Sequence, residues 1–368
     1  MSLPQIEDFR QLFLGNTELL DVRAPVEFKQ GAFPRTQNSP LLNDEERHQV
    51  GLCYKTKGPD KAVELGYELV SGELKDKRID VWQDFFETHP EGALYCFRGG
   101  MRSKITQQWL FEKTGKKYPR VKGGYRALRQ FLLQQLQTAS ETVSCLMLSG
   151  RTGVGKTVLL NKIESKIDLE ALFHHRGSVF GMHVQPQPSQ INVENKLAIA
   201  LLKLQSQGMN QLVFEDESAN IGGRRIPENI FNMMRSAAIL VLEAPSYERI
   251  NIIFDEYITQ ALAEHNDFYG EEAGFEKWSL YLTTALDKIQ RRLGGQAHKE
   301  LSVIMRDALQ EQQLNGGREH HKEWISRLLF DYYDPMYDYQ LSKKSHRVIF
   351  KGTQKDVLQY LSSQKGLS

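Results

Sequence analysis

The chain has 368 residues, 40% of them hydrophobic and 25% charged, with a net charge of +1. That balance belongs to a globular protein that folds in water, and the length exceeds what a single core organises, so two domains are expected. No run approaches the roughly 18 uninterrupted apolar residues of a membrane helix, and the first residues, MSLPQIEDFRQL, lack the basic and apolar segments of a secretory leader. Three scattered cysteines, Cys53, Cys96 and Cys145, make neither a disulfide framework nor a CxxC metal site. A cytoplasmic protein without a membrane partner is the expectation.

Taken in chain order, ELLDVR (18–23) is a short apolar strand ending in charge. GALYCF (92–97) is a second strand, running directly into the loop Cys96-Phe-Arg-Gly-Gly-Met-Arg102-Ser103. RSKITQQWLFEKTG (102–115) follows with Ile105, Trp109 and Leu110 at helical spacing and a glycine stop. Cys96 therefore stands at a strand-to-helix turn, where functional groups of open α/β sheets collect. Backbone amides, a helix N-terminus and the side chains of Arg98 and Arg102 all favour a thiolate there. Cys145, inside an apolar strand, reads as packing, and Cys53 is undecided, with a structural role favoured. The Cys96…Arg102 spacing is also C-x5-R, the phosphate cradle of cysteine phosphatases, in which a thiolate attacks a phosphoester.

KKYPRVKGGYRALR (116–129) carries Lys116, Lys117, Arg120, Lys122, Arg126 and Arg129 and no acid. Such a run is either a solvated face or a track for nucleic-acid phosphates. Tyr125 within it could stack on an unpaired base or simply pack. A polar stretch, residues 134–144, reads as a linker between a first domain (1–133) and a second (145–368).

VSCLMLSG (143–150) is a buried-type strand leading into Gly150-Arg-Thr-Gly-Val-Gly-Lys-Thr157, a complete GxxxxGK[ST] phosphate loop between a predicted strand and a predicted helix. Gly150, Gly153 and Gly155 let backbone N–H groups turn inward on phosphate oxygens, Lys156 reaches the terminal phosphate, and Thr157 offers a hydroxyl to a metal such as Mg²⁺. The helix opened by the loop carries Val158, Leu159, Leu160 and Ile163. A further helix spans 192–208, and QLVFEDES (211–218) is a strand ending in Asp216 and Glu217, where an acid handling metal or water is expected. AAILVLEAP (237–245) is a third strand, and the chain is helical beyond it, ending in the aromatic-rich DYYDPMYDYQL (331–341). Alternating strands and helices make this an α/β fold with a mainly parallel sheet. The loop specifies a phosphate chain and not a particular nucleotide. His174–His175 and His320–His321 are adjacent pairs without zinc spacing, so no metal site is expected.

DVRAPVEFKQGAFPRTQNSPL (21–41), with D-x-R, E-F, G-x-x-P and N-x-P in order, resembles the rhodanese signature; with the Cys96 loop and VKGGYRAL (121–128), the resemblance covers residues 8–133. It implies an N-terminal rhodanese-like domain whose loop cysteine carries sulfur or selenium, ahead of a P-loop NTPase-like domain with a helical C-terminal region. That pairing, together with HHRGSVFG (174–181), FEDES (214–218) and YYDPMYDYQL (332–341), resembles the tRNA 2-selenouridine synthase family over nearly the whole chain. The resemblance implies replacement of the sulfur of wobble 2-thiouridine in tRNA by selenium, through S-geranyl-2-thiouridine, with geranyl diphosphate and selenophosphate as co-substrates. An enzyme that supplies selenophosphate is then an expected partner. It places geranyl diphosphate on Gly150–Thr157 with Asp216 nearby, selenation at Cys96 with Arg98 and Arg102, and tRNA on the 116–129 run. Two other readings follow from the motifs alone: a C-x5-R phosphatase fused to a nucleotide-dependent kinase or ATPase, and an RNA-binding module without catalysis.

Overall fold

The computed structural model describes residues 3–363, which fall into two compact units. One comprises the residues up to Thr138 together with Ser189–Lys203; the other comprises Ala139–Pro188 and the residues from Leu204 onward.

In the first unit, strands β1 (Gln5–Ile6), β2 (Leu19–Asp21), β3 (Thr36–Asn38), β4 (Ala93–Tyr95) and β5 (Arg120–Val121) form a parallel sheet in the order β1-β5-β4-β2-β3. β2 and β4 are buried throughout, as central strands covered on both faces must be. Helices Asp44–Lys57, Gly72–Thr88 and Met101–Thr114 supply the apolar side chains that pack with the strands around Trp82, Phe86, Trp109 and Leu110. The Trp82 indole N–H donates to the Ser39 carbonyl at 3.0 Å, so the largest buried ring leaves no orphan donor.

The stretch 134–144 is no linker. Helix Gly124–Thr142 runs through it, because Leu128, Leu132, Leu136 and Ala139 form a buried stripe at i, i+4, i+8 and i+11 behind the outward glutamines. Helix Gln190–Ser206 also departs from its expected grouping: its residues up to Lys203 belong to the first unit. The Asn195 amide donates to the Ala32 carbonyl at 2.8 Å, and the Ala32 N–H donates to Asn192 Oδ1 at 2.7 Å.

In the second unit, β6 (Ser144–Ser149), β7 (Lys166–Ile167) and β8 (Gln211–Glu215) precede a small antiparallel hairpin of β9 (Asn220–Ile221) and β10 (Arg224–Arg225). β11 (Ala238–Leu242) and β12 (Val348–Gly352) complete a parallel sheet in the order β12-β11-β6-β8-β7. The helix after the phosphate loop is shorter than its apolar pattern suggests, ending at Leu160. The N–H groups of Lys162 and Ile163 donate to Leu159 and Leu160 three residues back, tightening the chain into a turn while Ile163 stays buried. Between β11 and β12 lies a helical region with its own core around Trp278, Met305 and Trp324.

Strand β12 and helix Gln354–Ser363 were not foreseen. Their signal is Thr353-x-x-Asp356: the Thr353 N–H donates to Asp356 Oδ2 at 2.9 Å, a reciprocal cap that starts the helix whose Val357 and Leu361 pack on the sheet. Among the described residues no helix is long and apolar enough to cross a membrane. Leu361→Ala should cost about 2–5 kcal/mol, read as a lower urea midpoint for the second unit, although the residue lies in the last helix of the described chain.

Candidate functional site

Each unit carries one of the two motif loops at the carboxyl end of a central strand. In the first, β4 delivers Cys96, 3% exposed, to the floor of a cavity of about 650 Å³. The thiol donates to Ser103 Oγ at 3.2 Å, and the Ser103 hydroxyl donates to the Gly100 carbonyl at 3.1 Å. Behind the loop, the N–H groups of Tyr125 and Arg126 donate to the Cys96 and Phe97 carbonyls at 2.9 and 3.0 Å. This contact requires Gly124, whose φ is +60° and whose Cβ, were there one, would stand 2.2 Å from the Cys96 oxygen.

The cavity walls hold Arg23, Arg47, Arg98 and Arg102 against one acid, Glu27. Arg102 and Arg47 both reach Glu27, at 2.6 and 3.1 Å. Burial pushes the Glu27 carboxyl up, but the hydrogen bond and charge of Arg102 outweigh it and hold Glu27 below the ordinary range. Arg23 is fixed from beneath: its Nη2 binds Asp21 at 2.6 Å and the Gly31 carbonyl at 2.8 Å, and its guanidinium lies 3.9 Å from the centre of the Tyr125 ring. Asn38 donates to the carbonyls of Asp21 and Arg23 at 2.9 Å each. Asp21, Arg23, Glu27, Gly31 and Asn38, drawn from the D-x-R, E-F, G-x-x-P and N-x-P stretches, thus frame the Cys96 cavity. Arg98 lines the same cavity and is exposed.

In the second unit, the phosphate loop borders a cavity of about 510 Å³. Gly153, at φ +80°, lies so close to the Arg249 carbonyl that a Cβ would stand 2.6 Å away. Arg249 Nε in turn donates to the Thr152 carbonyl at 3.0 Å, and its two terminal nitrogens hold Asp334 at 2.8 and 2.5 Å. Arg151 binds Asp338, and the Tyr337 hydroxyl lies 3.2 Å from Ser149 Oγ. The aromatic-rich segment therefore braces the loop with carboxylates as well as lining the cavity with Tyr332, Tyr333 and Met336. Ile252, Ile253 and Tyr257 extend this apolar wall.

The same cavity is lined by Glu170, Glu217, Glu256 and Arg176. Lys156 Nζ lies 3.4 Å from the Gly150 carbonyl, and although burial disfavours its charge, the carboxylates of Glu170, Glu217 and Glu215 hold its pKa above the ordinary lysine value. Burial raises Glu170, Glu215 and Glu217 above the ordinary carboxyl range; Glu215 adds to this for Glu170, and Lys156 acts against it in all three. Asp216 is engaged by Lys344 Nζ at 2.6 Å and Ser149 Oγ at 2.5 Å.

A family model described as the tRNA 2-selenouridine synthase AAA domain matches residues 143–367. A tRNA 2-selenouridine synthase of Marinobacter nauticus is 48% identical over 363 residues, 99% of each chain. One from Sulfurovum sp. is 47% identical, again over 99% of each chain, and one from Bordetella petrii is 47% identical over 96% of this chain and 95% of its own. The chain belongs to the tRNA 2-selenouridine synthase family. It is accordingly an enzyme, and the family sets aside both the phosphatase–kinase reading and the non-catalytic one.

The geometry redistributes several residues of this family member. Arg120 is not a surface cation: it is buried and donates to the Gly99 carbonyl at 2.8 Å, bracing the cysteine loop. Arg129 pairs with Glu194 and Asn195, and Lys122 with Glu7. Lys116, Lys117 and Arg126 are exposed. Tyr125 is buried and tilted against Phe33, so it packs. His321 is a core residue whose pKa burial lowers to about 4; its Nδ1 accepts from the Trp324 indole. Among the described residues no group of three or more His, Cys, Asp and Glu is arranged to hold a metal ion. Sequence reasoning singled out none of Glu170, Arg176, Arg249, Asp334 and Lys344: Arg176 and Asp334 lie within quoted segments but were given no role, and Arg249 and Lys344 lie far from the loop in the chain.

The raised carboxyls give a pH dependence of definite sign. A carboxyl whose folded pKa exceeds its unfolded value contributes stability that is fully present below the unfolded value and is lost as pH rises through the folded one. The melting temperature of the ligand-free protein should therefore fall as pH rises from about 5 into the alkaline range, and Glu170→Gln should flatten that fall in a series of thermal melts.

Proposed function

We propose that the enzyme replaces the sulfur of wobble 2-thiouridine in tRNA by selenium in two steps, one for each cavity. The observation that carries this reading is the mixed lining of the phosphate-loop cavity: beside the loop and the charged Glu170, Glu217, Glu256 and Arg176 it holds the apolar and aromatic side chains of Ile252, Ile253, Tyr257, Tyr332, Tyr333 and Met336. An isoprenoid diphosphate likewise joins a charged head to an apolar tail, and the relatives, tRNA 2-selenouridine synthases by name, support tRNA as the acceptor.

In the first step, the thiocarbonyl sulfur attacks C1 of geranyl diphosphate, the carbon–oxygen bond breaks, diphosphate leaves, and the base releases its N3 proton to solvent. Inward N–H groups of the 150–157 loop and the Lys156 ammonium stabilise the charge that develops on the leaving oxygen. A Mg²⁺ ion accompanying the diphosphate would take the Thr157 hydroxyl, whereas Asp216 is held by Lys344 and Ser149.

In the second step, selenium from selenophosphate attacks C2 of the S-geranyl-2-thiouridine. The C–S bond breaks, geranylthiol departs with a proton, and water takes the phosphoryl group as phosphate. Alkylation turns a poor leaving group into one that departs as a neutral thiol. The Cys96 cavity suits this step because its arginines outnumber its acids and would hold selenophosphate as an anion. We assign Cys96 to selenation, with Arg98 and Arg102 as anion-binding groups, and the rhodanese-like role of the first unit follows from that assignment. A selenophosphate-forming enzyme must precede it. For tRNA contact we retain Lys116, Lys117 and Arg126, with Lys122 beside them.

Purified protein is to be incubated with 2-thiouridine tRNA, geranyl diphosphate and selenophosphate, and the digested nucleosides weighed. Wild type should yield 2-selenouridine. Cys96→Ser should accumulate S-geranyl-2-thiouridine, and Lys156→Ala should lose geranylation by about 10²-fold or more. Full selenation by Cys96→Ser, or full geranylation by Lys156→Ala, would reject the assignment of the steps. Replacing Arg126 by alanine should weaken tRNA binding and reduce the slope of log K against log salt by about 1, measured by filter binding across a salt series.

A further inference from the structure

Beside the Cys96 cavity lies a second one, of about 260 Å³, and the two share Met101 and Arg102 as wall residues. Its other walls come from Leu41 and Leu42, from helices Asp44–Lys57 and Pro59–Leu69, and from helix Met101–Thr114. Val50, Tyr54, Val63 and Trp109 set its character, which is apolar throughout. Arg102 is no exception: its guanidinium is committed to Glu27 in the neighbouring cavity at 2.6 Å, which leaves its methylene stem to this one.

Gly66 makes the space informative. It sits inside helix Pro59–Leu69, where alanine is the better helix former. Its φ is not in the left-handed region, and a Cβ there would meet only Val50 Cγ2, at 4.0 Å. Neither the backbone nor the protein's own packing calls for glycine. What a side chain at 66 would occupy is the cavity. Tyr54 and Met101, 59% and 51% exposed, leave apolar surface uncovered around it, as a pocket for an apolar ligand does.

We propose that this cavity receives the geranyl chain of S-geranyl-2-thiouridine while C2 of the base stands at Cys96, and that it retains the chain until geranylthiol leaves. The proposal rests on the two-step reading above. The occupant follows from adjacency and chemistry. A group lodged in this cavity beside Met101 meets no polar surface, so neither phosphate, ribose nor base is accommodated; of the groups on the intermediate, only the S-alkyl chain is wholly apolar. The cavity would then sort substrates by chain, admitting the alkylated base to selenation and leaving unalkylated 2-thiouridine without this anchor.

The test uses the full chain with selenophosphate and two synthetic anticodon stem-loops, one bearing S-geranyl-2-thiouridine and the other S-methyl-2-thiouridine. Geranylthiol binding is followed separately by calorimetry. Wild type should convert the geranyl substrate at least about tenfold faster than the methyl one, the scale on which several methylenes in a pocket discriminate. Gly66→Leu should erase that preference and geranylthiol binding together. Gly66→Ala should reduce the preference while its melting temperature stays level or rises, which a purely structural role for the glycine would not produce. Val63→Phe plugs the same wall and answers for a Gly66→Leu protein that does not fold. A preference unchanged in folded variants, or geranylthiol binding indifferent to them, would overturn the proposal and leave the two-step reading intact. Gly66-dependent geranylthiol binding by a wild type that converts neither stem-loop would overturn the two-step reading and support the cavity as an isoprenoid site.

Discussion

Every strand of the two five-stranded sheets runs parallel to its neighbours, and that constraint decides where chemistry can occur. A parallel strand must be followed by a crossover, so each strand-to-helix loop of a sheet emerges at one edge with its N–H groups turned away from the ladder. Cys96 follows β4 and Gly150 follows β6, both interior strands. On an edge strand either loop would lose one flanking wall. In the interior position, β2 and β5 flank the cysteine loop, while β11 and β8 flank the phosphate loop.

Position alone does not fix a loop, and both are held by buried guanidinium–carboxylate pairs. Arg23 with Asp21 frames the Cys96 cavity, and Arg249 with Asp334 clamps the Thr152 carbonyl of the phosphate loop. Taking such charges out of water offsets most of their mutual attraction, so these pairs add little net stability, yet breaking one by deleting a partner costs about 3–5 kcal/mol. Asp21 illustrates the balance: burial lifts its pKa above the ordinary value even with Arg23 hydrogen-bonded to it. What such pairs contribute is geometry, since two parallel N–H···O bonds fix direction as well as distance.

The strands, the phosphate loop and the cysteine turn were legible because each is written in contiguous residues whose backbone demands are local. Gly153 and the apolar run of β6 announce themselves within ten residues. Relations between distant segments were not legible. Arg120 and Arg126 look alike in a basic run, but the strand position of Arg120 buries it under the cysteine loop while Arg126 faces water. Asp216 reads as a free strand-end acid until Lys344, 128 residues away, is brought to it. Residues 134–144 read as a linker because glutamines and serines outnumber the few apolar residues whose spacing makes the helix. Asp334 and Tyr337 were hidden in a segment whose tyrosines drew attention to its rings and away from its carboxylates.

The near-complete burial of Cys96 under an arginine-rich mouth has a consequence for the thiol's encounters with the solution. The cavity that Cys96 lines carries four arginines against one glutamate among its wall residues, so its charge weighs toward anions. Small anions are concentrated at its entrance and cations are turned back. On the assignment proposed above, the same charge would draw an anionic chalcogen donor toward the sulfur.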